Sequence, residues 1–96
     1  MGKNPSMIFK DLCRSAKTKQ SASKKEILTG IDELIYNLTI RDGCYYVPYN
    51  DAIRSFLIEG YSEQKALKHL KQWAHYDLAW PTKYEGYKLL ALADVI

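Results

Sequence analysis

The chain has 96 residues, of which 47% are apolar and 26% charged, and its formal net charge is +3. That length holds one domain with a modest core. No apolar run approaches the ~20 residues that cross a bilayer, nothing at the start resembles a secretory leader, and two cysteines do not make a disulfide framework. Cys13 and Cys44 are read as thiols in a reducing, cytoplasmic setting, with no membrane partner. Charge is uneven: residues 1–25 carry seven basic side chains against Asp11 alone, whereas residues 26–96 carry seven basic and ten acidic ones. A basic leading segment raises affinity for nucleic acid through counterion release.

Residues 6–16 read as a short helix, with Ser6 as its cap and Ile8, Phe9, Leu12 and Cys13 on one face. Residues 18–23 are polar and aperiodic, which reads as a linker. Residues 1–22 are therefore expected as a basic arm with a short helix over 6–16, and residues 23–96 as the folded domain. Ser23, Lys24, Lys25 and Glu26 have the spacing of a capping box. Ile27, Leu28, Ile31, Leu34, Ile35 and Leu38 follow at helical spacing. Gly30 within that pattern costs about 1 kcal/mol relative to Ala, which points to a close helix crossing. Arg41, Asp42 and Gly43 read as a turn, and residues 44–47 as a strand ended by Pro48.

A helix over residues 50–59 is expected to bury Ala52, Ile53, Phe56 and Leu57, and Gly60 stops it. Ser62 caps the next helix, with Glu63 in its first turn. At ~100° per residue, Ala66, Leu67, Leu70, Trp73 and Ala74 share one arc, and Lys65, Lys68, His69, Gln72 and His75 lie opposite. Residues 78–80 and 87–90 read as two strands joined by a loop over 81–86. The sum is mainly α with a small β-hairpin, an α+β chain. A tight glycine-bearing turn between two helices, followed by a hairpin, is the arrangement of a winged helix-turn-helix: a three-helix core plus wing, with a short N-terminal helix or arm.

The outward face of the helix after Ser62 is the candidate surface for double-stranded DNA. Lysine meets phosphate as a mobile point charge, and Gln can pair with an adenine edge. The candidate DNA-binding residues are Lys65, Lys68, His69 and Gln72 on this helix, Lys83 and Tyr84 at the hairpin tip, and Lys17, Lys19 and Lys24 on the arm. The helix has no Arg, the commonest reader of guanine, so weak sequence discrimination is expected. His69 and His75 miss the i, i+4 spacing of a helical metal pair. No nucleophile–base motif or Gly-rich phosphate loop is present, so neither metal, cofactor nor enzymatic activity is expected. Eight tyrosines serve as core edges or interface anchors.

From residue 23 to residue 92 the chain resembles the C-terminal winged-helix domain of archaeal MCM replicative helicases. The residues that carry this are the amphipathic opening helix, Val47 before a short helix, and Gly60-Tyr61-Ser62-Glu63 leading into Ala66, Leu67 and Leu70. Leu78-Ala79-Trp80-Pro81 then precedes Gly86, Tyr87 and Leu89. Asp77 stands where that family often has Gly before the first wing strand. Residues 8–25 resemble the tether ahead of that domain. Many archaeal, viral and plasmid-borne winged-helix regulators share the spacing. The resemblance implies modest DNA binding or regulatory contact with other replication proteins, without catalysis by this chain; taken with the missing Arg, the expected function is a DNA-binding module of low sequence specificity in replication or transcription. Two alternatives stand beside it: a protein-interaction winged helix acting as an adaptor for replication or transcription proteins, anchored by tyrosines and Trp73, and a small homodimeric transcription regulator with dimer contacts over residues 7–13.

Overall fold

Seven elements follow one another in the computed structural model, which describes residues 2–22 and 30–93. They are α1 (Pro5–Ala22), α2 (Ile31–Asp42), β1 (Tyr45–Pro48), α3 (Tyr49–Ile58), α4 (Glu63–His75), β2 (Ala79–Tyr84) and β3 (Tyr87–Leu92). The chain is mainly helical with one small antiparallel sheet, ordered β1-β3-β2, which agrees with the α+β expectation.

The N-terminal helix differs from its expectation. Asn4, not Ser6, caps it: Asn4 Oδ1 accepts from the Met7 amide at 2.8 Å and the Asn4 carbonyl from the Ile8 amide at 3.1 Å. Pro5 takes the first helical position, where a missing amide hydrogen costs nothing. The helix then continues to Ala22, into the segment expected as a linker. Those residues lack apolar periodicity, but Lys and Gln are good helix formers. Ala16 is buried and Lys19 Nζ meets Asp32 Oδ1 of α2 at 3.0 Å, so the later turns have tertiary partners.

The strands explain how the helices are distributed. Successive side chains of a strand point to opposite faces, and directly paired residues share a face. Val47, Ala79, Leu90 and Leu92 join the core formed by Ile8, Phe9, Leu12 and Ala16 of α1, Ala52 and Phe56 of α3, and Ala66, Leu70 and Trp73 of α4. Tyr46, Leu89 and Ala91 instead meet Leu38 of α2, with Ile31, Leu34 and Ile35 packed around them. The helices that share one core are thus α1, α3 and α4, while α2 covers the other face of the sheet. The run Leu89-Leu90-Ala91-Leu92 is apolar throughout because this central strand is buried on both faces. The sheet also separates the thiols: Cys13 packs on the larger cluster and Cys44 on the smaller, and no disulfide joins them.

Other local expectations change as well. Ser23, Glu26, Ile27 and Leu28 lie outside the described residues. Gly30 precedes α2 with φ 60° and ψ −131°, a backbone open only to glycine. Among the described residues the nearest atom a Cβ would meet there is the Tyr87 hydroxyl at 3.9 Å, so the glycine serves backbone geometry and no close helix crossing is seen among them. Leu57 is 45% exposed; Ala52 and Phe56, spaced i, i+4, form the inward stripe of α3 and leave Leu57 rotated ~100° from it. The hairpin loop is also shorter than expected. Residues 81–84 belong to β2, and the turn is Glu85-Gly86 with φ of 49° and 85°, the signature of a two-residue hairpin turn. Pro81 fits because β2 is an edge strand and owes no ladder hydrogen bond on its open side.

Candidate nucleic-acid interface

The turn before α4 is built from glycine chemistry. Gly60 has φ 94°, its amide donates to the Leu57 carbonyl at 3.0 Å, and the Tyr61 amide donates to the Phe56 carbonyl at 3.1 Å. This is a Schellman stop, and its usual apolar contact is present as Tyr61 edge-on to Phe56, 5.3 Å between ring centres. Ser62 Oγ then accepts from the Lys65 amide at 3.2 Å and starts α4. Lys3, just before α1, braces the turn: its amide donates to Glu59 Oε1 at 2.8 Å, and the Tyr61 hydroxyl donates to its carbonyl at 2.9 Å. At the far end of α4 a second Schellman stop runs through Asp77, whose φ is 58°. There the Leu78 amide donates to Trp73 and the Asp77 amide to Ala74, at 2.8 and 3.1 Å.

Held this way, α4 buries Ala66, Leu70 and Trp73 and exposes Lys65, Lys68, Lys71 and Gln72. No ion pair engages these three lysines among the described residues. His69 stands apart from them. It is half-buried, stacked on Phe56 at 5.6 Å and edge-on to Tyr61, so its ring helps to pack the turn.

In the hairpin, Lys83 lies directly opposite Lys88, a like-charge pair that opposes pairing. Lys88 Nζ sits 4.2 Å from the centre of the Tyr49 ring at the start of α3. By strand parity both lysines share the face of Leu90, which is the side of α1, α3 and α4. Tyr84 is on the other face, edge-on to Tyr46 at 6.0 Å, and both it and Lys83 lie in β2 rather than at the tip. Thus Lys65, Lys68, Gln72 and Lys83 are exposed on one side of the sheet, and Tyr84 is not with them.

Lys17 and Lys19 are carried by α1, with Lys19 bound to Asp32; Lys24 lies outside the described residues. Sequence reasoning missed Lys10 and Arg14, whose signal was their i, i+4, i+7 spacing with Lys17. The apolar side chains Ile8, Phe9 and Leu12 of the segment assigned to dimer contacts face inward, while Met7 is exposed.

Asp11, Asp42 and Tyr46 are tuned by their neighbours. A hydrogen bond from Lys3 holds Asp11 below the ordinary aspartate range. On the α2 face, Arg41 and then the Tyr46 hydroxyl, 3.1 Å away, do the same to Asp42. Burial, and then Asp42, push the Tyr46 phenol up. A cavity of about 390 Å³ opens beside β1 between α1, α2 and α3. Its rim charges are already paired, Lys19 with Asp32 and Arg54 with Asp51 at 4.0 Å. Among the described residues no group of three or more His, Cys, Asp or Glu is placed to hold a metal ion, and no helix is long and apolar enough to cross a membrane.

Comparisons with protein-family models, with curated proteins and with solved structures find no match.

Proposed function

We propose that this chain is a winged-helix module that binds double-stranded DNA with little sequence discrimination. The single observation carrying the reading is that Lys65, Lys68 and Lys71 on α4 are exposed, enter no ion pair among the described residues, and lie on the same side of the sheet as Lys83 and Lys88. The helix–turn–helix formed by α3 and α4, the hairpin that follows, and the strand order β1-β3-β2 support the winged-helix part. In this reading α1 takes the place of the opening helix of the core and α2 is an addition across the sheet. α4 enters the major groove, its lysines meet phosphate, and Gln72 offers a bidentate base contact.

Lys65, Lys68, Lys71, Lys83 and Lys88 on phosphate contribute about −4.5 to the log–log salt slope, at ~0.9 per contact. Lys65→Ala with Lys68→Ala makes it shallower by about 2 and weakens binding about equally on unrelated duplexes. A titration showing no duplex binding at about 50 mM salt would remove the reading. A protein-binding role is the second reading, favoured by exposed aromatic rings at Tyr76, Trp80 and Tyr87. It predicts that Tyr76→Ala and Trp80→Ala abolish recovery of a nuclease-resistant partner while the lysine changes do not.

A further inference from the structure

We infer that α1 is a second backbone-binding ridge, whose Lys10, Arg14 and Lys17 engage phosphates of the same duplex that α4 meets. The inference rests on the duplex-binding reading above and assigns to a rigid helix what composition alone assigns to a loose tail.

Three observations carry it. The first is the ridge itself. Lys10, Arg14 and Lys17 are all exposed and fall within about 60° of arc at ~100° per residue, on the side of α1 away from Ile8, Leu12 and Ala16. Consecutive members are one turn apart, about 5–6 Å. Among the described residues Lys10 and Lys17 enter no ion pair, and Arg14 has only an exposed 3.5 Å contact with Asp11, a carboxylate that also binds Lys3. A pair that exposed costs little to exchange for phosphate.

The second is the distribution of charge across the sheet. Helices α1, α3 and α4 together carry eight cations and three acids, whereas α2 on the far face carries one cation and three acids. Lys83 and Lys88 add to the first side. The resulting field turns an approaching polyanion toward the α1–α4 side and away from α2.

The third is proximity. Phe9 of α1 packs edge-on against Trp73 of α4, with 5.1 Å between ring centres. The longest extent of the molecule is 36 Å, and α1, with 18 residues, is about 27 Å long at ~1.5 Å per residue. A duplex lying on α4 and running past the domain therefore has the ridge within reach of its flanking backbone.

The test is a fluorescence-anisotropy titration of the full chain on a labelled duplex of about three helical turns, repeated from about 50 to about 200 mM salt. The variant is Lys10→Gln, Arg14→Gln and Lys17→Gln together, with its thermal melt compared with that of the parent. The expected result is an unchanged melt and a log–log salt slope shallower by about 2.7. Should the triple variant melt early, the three single variants, each shallower by about 0.9, give the same readout. An unchanged slope in these variants, alongside a shallower one for Lys65→Ala with Lys68→Ala, overturns the ridge and leaves the α4 reading standing. Loss of binding to vesicles containing anionic lipid, with duplex binding intact, also overturns it and assigns the ridge to a membrane surface. A parent chain that binds no duplex fails at the earlier reading, and the inference goes with it.

Discussion

Replacing Phe9 by Ala tests whether α1 belongs to the core. Phe9 is 9% exposed and touches Trp73 across the interior. Truncating a buried Phe to Ala costs about 3–5 kcal/mol through lost transfer energy and the cavity left behind. Ala is the better helix former by about 0.5 kcal/mol, which offsets a little of the loss. The expected change is about 3 kcal/mol of a total on the order of 5–15 kcal/mol. For a domain of this size that lowers the melting temperature by about 12–24 °C. Urea unfolding followed by far-ultraviolet circular dichroism measures it, and an unchanged m value keeps the comparison two-state. A loss below about 0.5 kcal/mol, the ordinary range of a surface substitution, would mean that α1 is not seated on α4 in solution. The basic ridge would then be a tail, and the rigid-surface argument would fail with it.

Asp77→Gly should raise stability by about 0.5–1 kcal/mol, because Asp77 holds φ 58° in a Schellman stop that glycine occupies without the left-handed penalty; a fall in the urea midpoint refutes this. Thr39→Val should also stabilise, by about 1 kcal/mol, since Thr39 Oγ1 is buried without a hydrogen-bond partner among the described residues and its removal recovers a desolvation cost; a lower melting temperature would show that the hydroxyl finds a partner in solution. Asp11 and Asp42 titrate lower in the folded chain than the ordinary 3.8. The stability they contribute is therefore complete above that pH and lost as pH falls through their folded values. Thermal melts taken downward from pH 6 should show this decline, and Asp11→Asn with Asp42→Asn should flatten it; an equally steep decline in the double variant contradicts the assignment.

Much of the α3–α4 unit was legible because its signals are local. Gly60 is the residue that tolerates a left-handed stop, Ser62 is the cap whose side chain reaches the third amide, and the apolar arc of α4 is periodic. These effects act within a few residues, so neighbouring sequence suffices to read them. The outward lysines of α4 follow from the same periodicity. The ends of the hairpin were harder. Pro81 argues against a strand unless that strand is an edge, and edge position is a property of the sheet order, not of the residue. Glu85-Gly86 carried a turn signal that the Pro81 break obscured.

Local chemistry determined that α4 begins at its Ser62 cap, that α2 and α3 stop at Gly43 and Gly60, and that particular side chains turn inward or outward. Only the tertiary structure decided that α1 joins the larger core, that α2 lies across the sheet, and that the exposed lysines of α4 and the hairpin share the side of α1. The all-apolar run of β3 announces burial on both faces, yet it does not say which helix covers which face. That choice depends on contacts between segments tens of residues apart, where packing between whole elements outweighs any propensity of the residues within them.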